Sequence, residues 1–259
     1  MGAAAGRGTM LPQAMAATAP VIPLHELKST CSNCSLRELC LPMGLTSREV
    51  EQIDHLVATR RRVKGGESLY RVGDPFGSIY AVRSGFFKST LLSESGRDQV
   101  TGFYMAGEIL GIDGIGTDKH ACNIVALEDS EVCIIPFPRL EEVSTKVRGL
   151  QRQFHRLMSR EIVRDQGVML LLGSMRAEER VAAFLLNLSQ RFTTRGYSPS
   201  DFNLRMTREE IGSYLGIKLE TVSRIFSKFQ EQRLVEVRQK HIRILDVPGL
   251  KGLTGKETC

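Results

Sequence analysis

Between Val63 and Pro136, glycines at Gly65-Gly66, Gly73, Gly85, Gly96, Gly107 and Gly111 break the chain at short, regular intervals. The pieces between the breaks include Ile79-Tyr80-Ala81-Val82, Val100-Thr101-Gly102-Phe103-Tyr104 and Val132-Cys133-Ile134-Ile135. Runs this short, rich in β-branched and aromatic residues and bounded by turn formers, predict strands closing into an antiparallel barrel or roll. A capped helix start at Thr46-Ser47, running to about Ala58, precedes them.

Residues 138–172 lose this punctuation, keeping only Gly149 and Gly167, and predict one long helix after the roll. Along it Met158, Ile162, Asp165, Met169 and Leu172 recur at alternating steps of four and three, the spacing of a coiled-coil seam. A stripe this short also suits a helix packed on its own domain. Asp165 favours a weakened dimer seam, because two facing carboxylates in an apolar interface oppose association by desolvation and like-charge repulsion. Gly173-Ser174 then predicts a hinge, and a second amphipathic helix is expected from Ala177 to about Phe192, with Val181, Phe184, Leu185 and Leu188 inward.

Thr207-Arg208-Glu209-Glu210 is a T-x-x-E capping box, which satisfies two backbone N–H groups at a helix start. Ile211 and Leu215 face inward, Gly216 makes a tight turn, and a further helix runs from Leu219 to Glu231. Its inner face carries Val222, Ile225, Phe226 and Phe229, and its outer face Glu220, Ser223 and Arg224. Two helices joined this way form a helix-turn-helix, whose second helix enters the major groove near its N-terminus. There Arg recognises guanine, Glu accepts from cytosine and Ser suits a base or a phosphate. Leu234–Val237 and Ile242–Leu245 predict a hairpin wing with the basic tip Arg238-Gln239-Lys240-His241 near phosphates. Lys218 offers no side-chain acceptor at the N-cap, which suits a phosphate contact instead. Residues 176–259 hold 15 Lys/Arg against 10 Asp/Glu and residues 1–175 hold 20 against 19, so the positive excess lies with this segment.

Cys31, Cys34 and Cys40 form a C-x2-C-x5-C cluster, and Cys122 stands far downstream. Grouped thiolates hold zinc or an iron-sulfur cluster, or act as a thiol switch, and the spacing leaves all three open. Cys133 falls inside an apolar strand and is expected in the core, Cys259 has no assigned role, and His25 and His120 suit solvent or core. The sequence has no 18-residue apolar run, and residues 1–20 make a poor signal peptide, so a disordered leader on a cytoplasmic protein is expected. It contains no Walker sequence, no G-x-S-x-G and no H-E-x-x-H, so a non-enzyme is expected.

These cysteines, the run Leu157-Met158-Ser159-Arg160-Glu161-Ile162, the stretch Ala177-Glu178-Glu179-Arg180 and Leu219-Glu220-Thr221-Val222-Ser223-Arg224 resemble the FNR branch of the CRP/FNR transcription regulators, from about Val21 to Leu253. The resemblance implies an α+β chain: an N-terminal antiparallel β-roll of the cyclic-nucleotide-binding kind, a long dimerisation helix and a C-terminal winged helix-turn-helix. The expected boundaries are a leader at 1–22, the cysteine segment and sensor roll at 23–137, the dimerisation helix at 138–173 and the DNA-binding domain at 174–259. It further implies a [4Fe-4S] cluster on Cys31, Cys34, Cys40 and Cys122, and an oxygen-sensitive homodimer with Ile162 and Asp165 setting its balance. Glu220, Thr221, Ser223, Arg224 and Lys218 would bind a palindromic operator of the TTGAT/ATCAA kind. The turn Ser93, Glu94, Ser95, Gly96, Arg97, Asp98 resembles a loop that touches RNA polymerase. Cyclic-nucleotide relatives place an Arg and a Ser or Thr after a G-E-L turn, whereas here Gly107-Glu108-Ile109-Leu110 leads to Lys119-His120-Ala121-Cys122. No cyclic nucleotide is therefore expected. A same-fold regulator using zinc or a thiol switch, and a ligand-binding module without a DNA role, are the competing expectations.

Overall fold

The computed structural model of the 259-residue chain describes residues 2, 30–57, 59–92 and 98–255. The leader apart from Gly2, His25, Ser93–Arg97 of the expected polymerase loop, and Cys259 lie outside the described residues. The cysteine segment descends through consecutive turns into α1 (Ser47–Ile53). Thr46 caps that helix, accepting from the Glu49 N–H while the Glu49 carboxylate accepts from its own.

Eight strands follow: β1 (Thr59–Val63), β2 (Ser68–Tyr70), β3 (Ser78–Ser84), β4 (Phe86–Leu92), β5 (Asp98–Met105), β6 (Ile109–Leu110), β7 (Asn123–Ala126) and β8 (Ser130–Pro136). They form two antiparallel four-stranded sheets, ordered β1-β8-β3-β6 and β2-β7-β4-β5. Between them lies an apolar core that includes Val63, Leu69, Val82, Phe87, Ile124 and Val132. Successive side chains of a strand point to opposite faces. Thus Val132 of β8 joins this core, while Cys133 and Ile135 join a second cluster with Leu41, Ile53, Leu56, Ile79, Leu140, Val147 and Leu150. The cysteine segment and the helices after the roll meet in that second cluster.

The expected single helix over 138–172 is two helices, α2 (Phe137–Lys146) and α3 (Arg148–Ser174). The break falls at Val147, whose φ of −113° and ψ of 88° leave the helical region while its side chain is buried. Two residues on, a Cβ at Gly149 would overlap Leu45 and the Glu49 carboxylate, so glycine lets α3 start hard against the cysteine segment and α1. At 27 residues, α3 spans about 40 Å. It also runs through Gly173-Ser174, so the expected hinge shifts to Met175, whose ψ of 147° is extended.

Beyond it come α4 (Ala177–Thr194), β9 (Asp201–Asn203), α5 (Arg208–Leu215), α6 (Leu219–Glu231), β10 (Val235–Arg238), β11 (His241–Ile244) and α7 (Val247–Leu253). The hairpin is part of a three-stranded sheet, β10-β11-β9, because β9 pairs with β11. This part is docked on the roll. Phe86, Val100, Phe103 and Met105 of β4 and β5 share a core with Phe184, Leu185, Leu188 and Ile211. Lys88 meets Glu210 at 2.7 Å, and Glu108 accepts from both Arg191 (2.7 Å) and Arg195 (2.6 Å).

Candidate metal centre and nucleic-acid interface

The turns of the cysteine segment are closed by backbone bonds from Cys34 to Cys31 (3.2 Å), Arg37 to Cys34 (3.2 Å) and Cys40 to Leu36 (3.0 Å). Ser32 fixes the segment to the end of α1, donating its N–H and hydroxyl to the Asp54 carboxylate at 2.8 and 2.6 Å. Held this way, Cys31, Cys34 and Cys40 line one apolar pocket with Leu41, Leu56, Ala81 and Ile135, and the fourth sulfur in its wall is that of Cys133. Burial, and then the neighbouring Cys133, Asp54 and Cys34, push the Cys31 thiol up to about 12. Burial raises Cys40 further, against the lowering bond from the Leu41 N–H, with Cys31, Cys133 and Cys34 adding to the rise. Cys31, Cys40 and Cys133, each raised chiefly by burial, stay protonated until a cation or a cationic core joins them.

Cys122 is elsewhere, which corrects the expected ligand set. It precedes β7 in the other sheet, and its Sγ lies 3.5 Å from Asp113 Oδ2. Burial and that carboxylate push its thiol up to about 12. The cysteine segment packs on the sheet containing β8, so the pleat that points Cys133 away from the roll interior delivers it to the pocket. Cys133 is therefore part of the sulfur site, not an ordinary core residue. His120 is a core residue, stacked on Tyr70 at 3.6 Å between ring centroids and 3.5 Å from Asp113.

Among the described residues no three His, Cys, Asp or Glu side chains are arranged to hold a single metal ion. The donor set still suits a sulfur-ligated polynuclear core, which needs spread thiolates rather than atoms converging on one point. A buried polar atom supports the same fit: Arg60 lines the pocket, and its Nε is buried without a hydrogen-bond partner among the described residues.

Along α3, Ile162 and Met169 are 59% and 64% exposed, Asp165 is exposed and Met158 is half-buried. Val163 and Leu170 are also exposed apolar side chains. Leu172 instead sits at the junction with α4 and α5, where its carbonyl accepts from Arg180 at 2.6 Å. A cavity between the roll and α3 is bounded by Tyr70, Tyr104, Asp113, Cys122, Met158, Glu161, Ile162 and Asp165, so its charged lining is carboxylate. Arg164 ties α3 to the roll, donating to the Tyr104 hydroxyl at 2.8 Å and lying over that ring.

In the helix-turn-helix, the Thr207 box is formed in both directions, with bonds of 3.1 and 2.7 Å to Glu210. Gly216 takes the left-handed turn at φ +64°, where a side chain would be strained. Val222, Ile225, Phe226 and Phe229 are buried, leaving Glu220 and Arg224 exposed and Ser223 and Thr221 half-buried on α6. Lys218 is the exposed N-cap with no side-chain capping bond. At the wing, Arg238 pairs with Glu236 at 2.6 Å and His241 with Asp201 at 2.7 Å, so Lys240 is the tip's freer cation. No helix among the described residues is long and apolar enough to cross a membrane.

Residues 179–253 match the family model of the Crp-like helix-turn-helix domain, and residues 60–146 that of the cyclic nucleotide-binding domain. The chain is 50% identical over 238 residues to the transcriptional regulatory protein btr of Bordetella pertussis, covering 92% of this chain and 98% of that protein. It is 48% identical over 225 residues to the transcriptional activator protein anr of Pseudomonas aeruginosa, covering 87% and 92%. It is 44% identical over 225 residues to the fumarate and nitrate reduction regulatory protein of Salmonella typhimurium, covering 87% and 90%. Among solved structures, FixK2 from Bradyrhizobium japonicum superposes with a TM-score of 0.72 at 29% identity, covering 78% of this chain and all of that one.

Proposed function

For a chain that belongs to the FNR-type branch of the CRP/FNR transcription regulators, we propose an oxygen-responsive switch in which a [4Fe-4S] cluster on Cys31, Cys34, Cys40 and Cys133 governs dimerisation and operator binding. The chain is a DNA-binding transcription regulator and not an enzyme. The observation that carries the proposal is the single apolar pocket uniting three thiols of the N-terminal segment with one from β8.

When bound, such a cluster supplies an oxygen-labile bond between segment and sheet. The protein's own residues transmit the state of that bond. Leu41 packs in one cluster with Val147 and Leu150 at the start of α3, and Met43 Sδ lies 3.8 Å from the Arg160 guanidinium. A segment held on Cys133 therefore braces the base of α3, and a released one withdraws that support. The exposed Ile162 and Met169 form the seam with a second copy, and Asp165 keeps the pair near its dissociation threshold. Leu172, packed at the junction with α4 and α5, links the seam helix to the DNA-reading part.

Pairing matters because two half-sites need two linked recognition helices. Glu220, Ser223 and Arg224 read a palindrome of the TTGAT/ATCAA kind, while Thr221, Lys218 and Lys240 serve its phosphates. The loop containing Ser93–Asp98 contacts RNA polymerase on a cytoplasmic promoter. The carboxylate-lined cavity beside Asp113 and Asp165 disfavours a cyclic nucleotide phosphate.

Protein purified without oxygen tests the proposal. A brown product with iron, acid-labile sulfide and a broad visible band is expected, and air should remove the band, the dimer and specific DNA binding together. A colourless zinc-loaded protein, or a reversible disulfide with no iron, would establish one of the rival sensors. A lack of salt-dependent operator binding would remove the DNA-reading role.

A further inference from the structure

We infer that Arg60 is a positioning residue of the sulfur pocket: its buried Nε–H and its charge hold the anionic thiolate cluster beside Cys133. The inference rests on the cluster proposed above and assigns it a partner outside the four cysteines.

Three observations converge on this arginine. In the β1·β8 ladder Arg60 stands directly opposite Cys133, so both side chains leave the sheet on the same face. The Arg60 side chain lines the pocket with all four cysteines. Its Nε is buried with no acceptor among the described residues, whereas the two other guanidiniums in the wall have carboxylate partners and Arg83 also donates to Cys34 Sγ at 4.0 Å. Arg83 meets Glu131 at 3.0 Å, and Arg37 meets Glu38 at 3.0 Å.

A buried N–H without an acceptor destabilises a fold unless something accepts from it. Sulfur is the acceptor this location offers. Four thiolates around an iron-sulfur core leave the assembly a net anion in an apolar pocket, where an adjacent fixed cation acts strongly and bonds to sulfur tune the reduction potential. Ala81, the other cross-strand neighbour of Cys133, carries neither charge nor donor. Compensation from within the sheet thus falls to Arg60 opposite Cys133, and to Arg83 of β3, which donates to Cys34 Sγ at 4.0 Å.

The test uses full-length protein prepared without oxygen, with Arg60→Met, Arg60→Lys and, as control, Arg62→Met, an exposed arginine on the same strand. Iron and sulfide content, the rate at which a chelator strips iron, and the reduction potential of the bound cluster are measured. Far-UV circular dichroism monitors folding. Arg60→Met is expected to lose iron about tenfold faster, equivalent to about 1.4 kcal/mol, and to have a more negative potential. Arg60→Lys, which keeps the charge but not the Nε donor, should fall between it and wild type, with Arg62→Met unchanged. The inference is overturned if Arg60→Met matches wild type in both readouts, or if Arg62→Met shifts equally. If Arg60→Met does not fold, Arg60→Lys decides, because wild-type stripping and potential in that variant would remove the role of the Nε donor. Wild type without iron would instead sink the cluster reading itself.

Discussion

The reading head and the sulfur pocket are assembled over very different sequence distances. Around the recognition helix the fixing contacts are local: Thr207 to Glu210, the Ile217 N–H to the Gly212 carbonyl at 2.9 Å, and the inner row Val222, Ile225, Phe226, Phe229. The pocket brings a turn-rich segment before α1 against a strand near the end of the roll, and Cys133 meets Cys31 only because β8 is threaded between β1 and β3. A structure built from neighbours keeps its shape by itself. One built from remote partners lasts only as long as their bond, which suits a sensor.

The largest test of that contrast is all-or-none. Cys133→Ser should abolish iron retention in anaerobic protein while Cys122→Ser keeps it, by iron and sulfide assay, and the opposite result would undo the assignment. Next, Arg224→Ala should weaken operator binding about 10- to 100-fold in gel shifts while iron content stays at the wild-type level, a separation that fails if the two ends are one cooperative unit. Asp165→Ala should raise dimer association in air about tenfold, corresponding to about 1.4 kcal/mol, by sedimentation. An unchanged dimer fraction would free that carboxylate of any part in the balance.

The smallest effect is at the docked surface. Thr207→Ala should cost about 1 kcal/mol in denaturant unfolding through loss of the cap. The neighbouring Glu210 adds a pH signature. Burial raises its pKa, but the bonds from Lys88 and Thr207 outweigh it, so the folded carboxyl titrates below its ordinary range. Its contribution is present above the ordinary carboxylate value and is lost as pH falls through the folded one. Glu210→Gln should flatten that acid limb of the stability curve.

Legibility follows the same division. The roll, the capping boxes, the left-handed Gly216 and the two-faced α6 were readable because each is encoded within a few residues. Cys133 reads as a core residue by sequence and Cys122 as the fourth thiol, because the strand order and pleat direction that bring Cys133 to the pocket are not visible in spacing. Strand β9 escaped notice because three residues, Asp201–Asn203, with one buried side chain leave no periodicity to detect. The break at Val147 was hidden for the opposite reason: helical spacing continues across it, and what ends α2 is burial of one valine against a remote cluster. Arg60 is one of three consecutive arginines, and only its cross-strand neighbour Cys133 sets it apart from the other two.

Glu108 accepts from Arg191 and Arg195 at once, and those two arginines also donate to the carbonyls of Phe103 and Ala106. A clasp in which one anion serves two cations couples the two pairs, since any displacement of Glu108 disturbs both. The DNA-reading part is thereby latched to the roll through a single side chain, so losing the Glu108 carboxylate should unfasten both ends of that latch at once.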